Sequence, residues 1–124
     1  MNEVLDSELN SMFVSPEKEF LGEPLAPYTE GSRLLIMQTK SDEDVAMFFV
    51  WSFIYLHILL KKDRKEAIKL AWNRDLFREK VFEWAETKGE RDRGVATNLV
   101  GQILDEASKG GVEPIKRGLP SGNA

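Results

Sequence analysis

One run of sixteen residues constrains this chain more than any other feature. Residues 45–60 are apolar apart from Ser52, Tyr55 and His57. A helix that is apolar on nearly every side is either buried in a protein core or crosses a membrane. Sixteen residues extend about 24 Å at 1.5 Å per residue, whereas the hydrocarbon layer is roughly 30 Å thick. The length therefore favours a buried helix over about residues 42–62, with a single membrane span as the less favoured alternative.

Charged residues flank this run in the order that a helix dipole favours. Residues 42–44 are acidic, and Lys61 and Lys62 follow the run. Negative charge stabilises a helix at its N-terminus, and positive charge stabilises it at its C-terminus. Ser41 or Asp42 is therefore the predicted N-cap of the apolar helix.

Apolar residues recur at helical spacing on both sides of this helix, and no stretch alternates as a strand does. The first predicted helix covers about residues 2–14, and a short helical turn follows at Ser15-Pro16-Glu17. Residues 22–27 contain Gly22, Pro24 and Pro27 and are predicted to form a loop. Thr29 is the predicted N-cap of the second helix.

Capping residues divide the second half of the chain. Asp63 and Glu66 have the spacing of a capping box, and residues 73–75 are a predicted break. Asp92 is the predicted N-cap of the last helix. A glycine pair at residues 110 and 111 is predicted to end that helix, because glycine is the preferred residue just beyond a helix C-terminus.

These elements predict an all-α protein, a compact bundle of about six helices around the apolar helix at residues 42–62. Residues 1–109 are expected to form one helical domain and residues 110–124 a flexible C-terminal tail. The composition, 42% hydrophobic and 31% charged, is that of an ordinary globular protein. The chain contains no cysteine, which excludes disulfides and thiolate chemistry and fits a reducing compartment, and its acidic opening lacks the features of a signal peptide.

Side chains that could carry catalysis lack the partners that they need in the sequence. His57 is the only histidine, and Ser52, five residues away, does not share its face of the helix cleanly. A neutral imidazole that forms hydrogen bonds within the core is therefore the favoured interpretation. A row of glutamates at residues 79–86 is interleaved with basic residues and indicates a solvated face. We expect no catalytic residue, no metal and no cofactor.

The order of the features resembles a known family. Residues 20–32 read FLGEPLAPYTEGS and are followed by two leucines, an acidic turn, the long apolar helix and smaller amphipathic helices. This order is similar to that of small phage and prophage tail assembly chaperones, in which an LG-x-PL-x-P stretch with a threonine or serine leads into the first core helix. The resemblance covers roughly residues 19–109.

The resemblance implies a non-enzymatic protein of the bacterial host cytoplasm. Such proteins bind the tape measure protein or other tail proteins during assembly and are absent from the finished virion. Core packing is the default interpretation for the three tryptophans, whereas an exposed aromatic ring would be an interface anchor. Phe48, Trp51 and Tyr55 are the candidate partner contacts if they are exposed, and the apolar run could also form a homo-oligomeric contact.

A nucleic-acid-binding protein is the main alternative. Residues 63–72 and 75–88 form a helix, a short turn and a helix, as in a helix-turn-helix. The basic side chains of segment 61–80 would then contact phosphates; they are Lys61, Lys62, Arg64, Lys65, Lys69, Arg74, Arg78 and Lys80. The glutamates of the second helix and the net charge of −4 argue against a polyanionic partner.

Overall fold

The computed structural model describes the backbone of residues 17–118 and the side chains of residues 17–109. Within this part the chain is mostly helical, with five helices and one small two-stranded sheet. The mainly helical prediction is therefore confirmed. The helix predicted over residues 2–14 and the first two residues of the turn at 15–17 lie outside the described residues.

A short hairpin at residues 19–24 overlaps the start of the segment that the sequence predicted to be a loop, residues 22–27. Strand β1 (Glu19–Phe20) pairs with the antiparallel strand β2 (Glu23–Pro24). Leu21 and Gly22 join the strands with positive φ angles of 51° and 87°. A two-residue hairpin turn needs such angles, which glycine adopts without strain. Buried apolar residues on either side anchor the hairpin; they are Phe20 and Leu25.

Five helices follow the hairpin, and the second of them packs against each of the other four and against β2. We number them α1 (Glu30–Thr39), α2 (Ala46–Lys62), α3 (Arg64–Trp72), α4 (Arg74–Ala85) and α5 (Glu90–Gly118). None of the described helices has the length and apolar content that crossing a bilayer requires.

Side-chain caps begin three of these helices, two of them at the residues that the sequence predicted, Thr29 and Asp63. Thr29 Oγ1 accepts a hydrogen bond from the Ser32 amide at 3.1 Å, and Ser32 Oγ accepts one from the Thr29 amide at 2.9 Å. Asp63 Oδ1 accepts from the Glu66 amide at 3.2 Å, which starts α3. Asn73 caps α4 in the same way, within the predicted break. Each cap satisfies a helix donor that would otherwise have no partner.

The start of α2 differs from the prediction. Residues 41–44 form a turn, in which Asp44 Oδ2 accepts a hydrogen bond from the Ser41 amide at 2.9 Å. The helix begins at Ala46, and its N-cap, Val45, makes no side-chain cap. The prediction of Ser41 or Asp42 as the cap is wrong because the Asp44 carboxylate binds Arg78 and holds this turn outside the helix.

Both predicted ends of the last helix are also wrong. α5 begins at Glu90, and Asp92 lies inside it, where its Oδ2 accepts a hydrogen bond from the Gly89 amide at 2.9 Å. The helix continues through the glycine pair at residues 110 and 111 to Gly118. Glycine ends a helix where it takes a left-handed conformation, and otherwise only lowers the helix propensity. Residues 119–124 of the predicted tail lie outside the described residues.

The buried side chains form two clusters, and α2 contributes to both. The first cluster joins α2 to α1, α3 and α4 through Ala26, Ile36, Leu56, Leu60, Ala67, Ala71, Phe77 and Val81. The second joins α2 to the hairpin and α5 through Phe20, Leu25, Phe53, Ile54, Ile58, Ala96 and Val100. Packing against two apolar clusters buries most of α2, which explains why residues 45–60 contain so few polar residues.

Candidate functional site

The three predicted partner contacts share one face of α2 and are half-buried. The Trp51 ring lies 5.6 Å from the Trp84 ring, edge to face, and 5.9 Å from Phe20. The Tyr55 ring lies 5.3 Å from the Trp84 ring and 5.9 Å from the Phe77 ring. These contacts place Trp51 and Tyr55 in the packing between α2 and α4. Trp51 and Tyr55 were candidate partner contacts only if they were exposed, and both are half-buried.

Phe48, the third of these residues, is covered by an arginine. The Arg78 guanidinium lies over the Phe48 ring at 4.7 Å from its centroid. The same guanidinium donates hydrogen bonds to the Asp44 carboxylate and, at 2.9 Å, to the Thr39 carbonyl. Phe48 therefore contributes to the junction of α2 and α4.

The large aromatic rings that are exposed lie elsewhere. Trp72 is 68% exposed at the end of α3, and Phe82 is 60% exposed on α4. Core packing was the expectation for all three tryptophans, and for Trp72 it is wrong. Ala67 and Ala71 form the buried face of α3, and Trp72 is turned away from it. Several aliphatic side chains of the described chain are also exposed; they are Leu21, Leu34, Met37, Val45, Leu76 and Val95.

The outer surface of α3 combines this tryptophan with positive charge. Lys65, Ile68, Lys69 and Trp72 have the i, i+3, i+4, i+7 spacing that places side chains on one side of a helix. We call these four residues the α3 basic face. Its two lysines are exposed and Ile68 is partly buried. Neither lysine forms an ion pair with another of the residues 17–109.

Most other basic side chains of segment 61–80 are engaged within the fold. Lys61 Nζ lies 2.8 Å from Glu17 Oε2, and Lys62 Nζ lies 3.1 Å from Glu23 Oε1. Arg74 donates to the Lys40 carbonyl at 3.0 Å, and Arg78 binds Asp44. These partners satisfy four of the eight side chains that a nucleic-acid interface was predicted to use.

The connection between α3 and α4 is also shorter than in a typical helix-turn-helix. α3 ends at Trp72 and α4 begins at Arg74, so that Asn73 alone joins them. A helix-turn-helix joins its two helices through a turn of roughly 3–4 residues. This one-residue connection does not provide the turn that positions a recognition helix.

The single histidine is deeply buried and has a partner on each ring nitrogen. His57 Nδ1 lies 2.7 Å from the Phe53 carbonyl oxygen, and Nε2 lies 2.9 Å from Ser32 Oγ. A carbonyl can only accept, so Nδ1 carries the proton and Nε2 accepts from the Ser32 hydroxyl. Burial lowers the pKa of His57 and favours the neutral ring. The prediction that His57 forms hydrogen bonds within the core is confirmed.

Ser32 is the partner that the sequence analysis missed. It is separated from His57 by 25 residues, and no spacing in the sequence links them, so only the fold brings them together. A serine beside a histidine is the arrangement of an activated nucleophile. Here, however, each residue is only 1% exposed, and Ser32 Oγ also accepts from the Thr29 amide. This geometry fastens α1 to α2 and leaves the hydroxyl out of reach of a substrate.

The described residues do not assemble a metal centre. No group of three or more histidine, aspartate or glutamate side chains converges within residues 17–109. Every buried side-chain nitrogen and oxygen atom in that part of the chain has a hydrogen-bond partner. These buried polar groups therefore take part in hydrogen bonds within the fold.

Comparison with known proteins did not supply a relative. Neither a family model, nor a curated protein, nor a solved structure matches this chain. Its function must therefore be argued from its own residues and from the resemblance in feature order described above.

Proposed function

We propose that this chain is a non-enzymatic protein that binds other proteins during the assembly of a phage or prophage tail. The observation that carries the binding role is Trp72, which is 68% exposed on a helix whose opposite face is buried. Tryptophan is enriched among the residues that dominate binding energy at protein interfaces. The exposed ring, next to a basic surface, is the strongest anchor for a partner in the described chain.

The energetics of this ring support a binding role. A tryptophan side chain can bury about 200 Å², and about two-thirds of Trp72 is accessible. Transfer of that area from water would contribute about 3 kcal/mol at 25 cal/mol per Å². An amphipathic helix of a partner would place its apolar side chains on Trp72 and Ile68. Its acidic residues would then lie near Lys65 and Lys69.

The tail-assembly part of the proposal is supported by the order of features in residues 19–109. The stretch similar to LG-x-PL-x-P leads into α1, and the long apolar helix follows the acidic turn. A tape measure protein is the proposed partner, because such proteins are long and helical and need protection before assembly. The proposed compartment is the cytoplasm of the bacterial host, and a homo-oligomer is compatible with the same role.

A co-expression experiment tests this function. The tagged full chain is co-expressed with the tail proteins encoded by neighbouring reading frames, and the complexes are analysed by mass spectrometry and light scattering. We expect a stable complex with a long helical tail protein. Trp72→Ala should weaken the complex, whereas Leu21→Ala, which truncates an exposed side chain on the hairpin, should not. Absence of any complex with the co-expressed tail proteins contradicts the proposal.

Nucleic-acid binding remains the second candidate, because three basic side chains of α3 form no ion pair within residues 17–109; they are Arg64, Lys65 and Lys69. Three phosphate contacts would give a slope of about −2.7 in a plot of log binding constant against log salt. The net charge of −4 and the one-residue connection between α3 and α4 argue against this candidate. Binding of duplex DNA at low salt with such a slope would favour it over protein binding.

A further inference from the structure

The outer sides of α3 and α4 carry the same pattern of side chains with opposite charge. On α3, Lys65, Lys69 and Trp72 occupy positions i, i+4 and i+7. On α4, two acidic residues and a ring occupy the same three positions, each ten residues later in the sequence; they are Asp75, Glu79 and Phe82. We call these three residues the α4 acidic face. Side chains at this spacing lie on one side of a helix. Each helix therefore presents two like charges followed by an aromatic ring, positive on α3 and negative on α4.

Both patterns face solvent because the two helices bury their opposite sides in the same cluster. The inner sides are formed by Ala67 and Ala71 on α3 and by Phe77 and Val81 on α4. The four charged side chains of the outer sides are exposed. Both rings of the outer sides have more than half of their surface in solvent.

The charges of the two faces are not neutralised within residues 17–109. Lys65 and Lys69 form no ion pair there, and neither do Asp75 and Glu79. The lysines of one face therefore do not reach the carboxylates of the other within the described part of one chain. Both faces lack a charge partner in this part of the molecule, and each has the chemistry that the other requires.

A second copy of the chain matches both faces at once. If α3 of one copy lies beside α4 of the other and runs in the same direction, each lysine meets a carboxylate and Trp72 meets Phe82. A twofold axis repeats this contact, so that each copy uses both of its faces. Opposite charges of this kind select the partner and set its orientation more than its affinity.

The contact area is that of a transient dimer. A large aromatic side chain can bury about 200 Å², so the four exposed rings of a twofold dimer would together bury about 500 Å². Aromatic pairs also attract each other beyond the effect of their buried area. Interfaces below about 1,200 Å² in total are typical of weak, transient association. We therefore expect a dimer that forms and dissociates with protein concentration.

From this match we infer that two copies of the chain associate through the α3 basic face of one copy and the α4 acidic face of the other. The dimer covers Trp72, so a tail protein and a second copy compete for the same ring. This inference does not rest on the proposed function, because it concerns the isolated chain. Its test and the co-expression test can therefore fail separately.

Sedimentation velocity of the full-length chain over a range of protein concentrations tests this inference. We expect a monomer–dimer equilibrium at physiological ionic strength. Lys65→Glu/Lys69→Glu makes both faces negative, and Asp75→Lys/Glu79→Lys makes both faces positive. Each variant alone should raise the dissociation constant of the dimer by about tenfold or more, because like charges then lie opposite each other.

Restoring the charge match should restore the dimer. In an equimolar mixture of the two variants, every negative face meets a positive one, so a heterodimer should form although neither variant dimerises alone. A chain that carries all four substitutions has one face of each sign again and keeps the net charge of −4. It should dimerise about as well as the unmodified chain, which separates the effect of the faces from that of the net charge.

A matched control makes the same change of charge on α5. Arg91→Glu/Lys109→Glu reverses two exposed basic side chains that belong to neither face. The dissociation constant should stay close to that of the unmodified chain. Phe82→Ala should weaken the dimer without any change of charge, because this ring packs on Trp72 of the other copy. Circular dichroism confirms that each variant remains folded.

Three results would overturn the inference. In the first, the unmodified chain remains a monomer up to millimolar concentration. In the second, the dimer persists in both charge-reversed variants, which would place the contact on another surface. In the third, the charge-reversed variants are monomers but neither their mixture nor the chain with all four substitutions associates.

Discussion

Two of the polar contacts that fasten α1 and the turn after it to the rest of the molecule use opposite chemistry. At the start of α1, Ser32 binds His57 of α2, and each residue is only 1% exposed. At the turn after α1, Asp44 binds Arg78 of α4, with side chains that are 10% and 27% exposed. The first contact is neutral and the second is charged.

The difference follows from access to solvent. A charge that is fully removed from water loses several kcal/mol of solvation, so the interior contact uses a neutral imidazole and a hydroxyl. Asp44 and Arg78 keep part of their hydration, and Arg78 gains further contacts with Phe48 and the Thr39 carbonyl. Burial therefore decides which kind of polar contact can hold a helix at each place.

The largest effect is expected from removing the buried contact. His57→Ala deletes a ring in the core and both of its hydrogen bonds, leaving a cavity beside Phe53. Large-to-small substitutions of buried rings cost roughly 3–5 kcal/mol, and we expect about 3 kcal/mol for this smaller ring. Urea denaturation of both proteins measures the difference in the free energy of unfolding. A loss below 1 kcal/mol would show that His57 does not fasten α1.

The same contact gives a pH dependence with a defined sign. Burial lowers the pKa of His57 in the folded state, so the unfolded chain binds the proton first as the pH falls. Stability should therefore decrease once the pH falls below about 6.5, the ordinary histidine pKa. His57→Phe, which cannot be protonated, is the control and should lack this decrease.

A smaller loss is expected from the charged contact. Hydrogen bonds from Arg78 hold the pKa of Asp44 at about 2, below its ordinary value of 3.8. A shift of nearly two units corresponds to about 2 kcal/mol at 1.36 kcal/mol per unit. Asp44→Asn should therefore lower the free energy of unfolding by about 2 kcal/mol at pH 7. In the unmodified chain this contribution should disappear as the pH falls from about 4 to 2, because the unfolded carboxyl takes up a proton first.

An exposed ion pair provides the control for this second contact. Glu30 and Arg33 form a hydrogen-bonded pair within the first turn of α1, at 2.9 Å, but both side chains are largely in solvent. Exposed pairs contribute little to stability. Glu30→Gln should leave the urea midpoint unchanged. If Glu30→Gln lowered the free energy of unfolding as much as Asp44→Asn does, partial burial would not explain the difference between the Asp44–Arg78 and Glu30–Arg33 pairs.

Local chemistry made much of the fold predictable from the sequence. Thr29, Asp63 and Asn73 are capping residues whose partners lie three residues away, so their roles can be predicted without knowing the fold. The apolar run also predicted the helix that became α2. Its start was misplaced because Asp44 is held by Arg78, 34 residues away, and no local pattern shows that competition.

The α3 basic face was less predictable, because its exposure also depends on residues that are distant in the sequence. Trp72 belongs to the same apolar pattern as Ala71, but α3 buries only the narrow face formed by its alanines. Whether a residue at the edge of an apolar stripe is covered depends on the position of the neighbouring helices. The partnership of Ser32 and His57 was hidden in the same way, since it joins two helices.

A small stabilisation is expected from two substitutions in α5, which takes part in neither polar contact. Gly94 and Gly101 lie within this helix, and a Cβ added at either position would meet no atom within 4 Å. Alanine is more favourable than glycine in a helix interior by roughly 0.5–1 kcal/mol. Gly94→Ala and Gly101→Ala should therefore each raise the free energy of unfolding by about that amount. Neither should alter the pH dependence assigned to His57 or Asp44, because the added Cβ would contact no other atom within 4 Å. If either variant changed the pH range over which His57 or Asp44 affects stability, α5 would influence the contacts that hold α1.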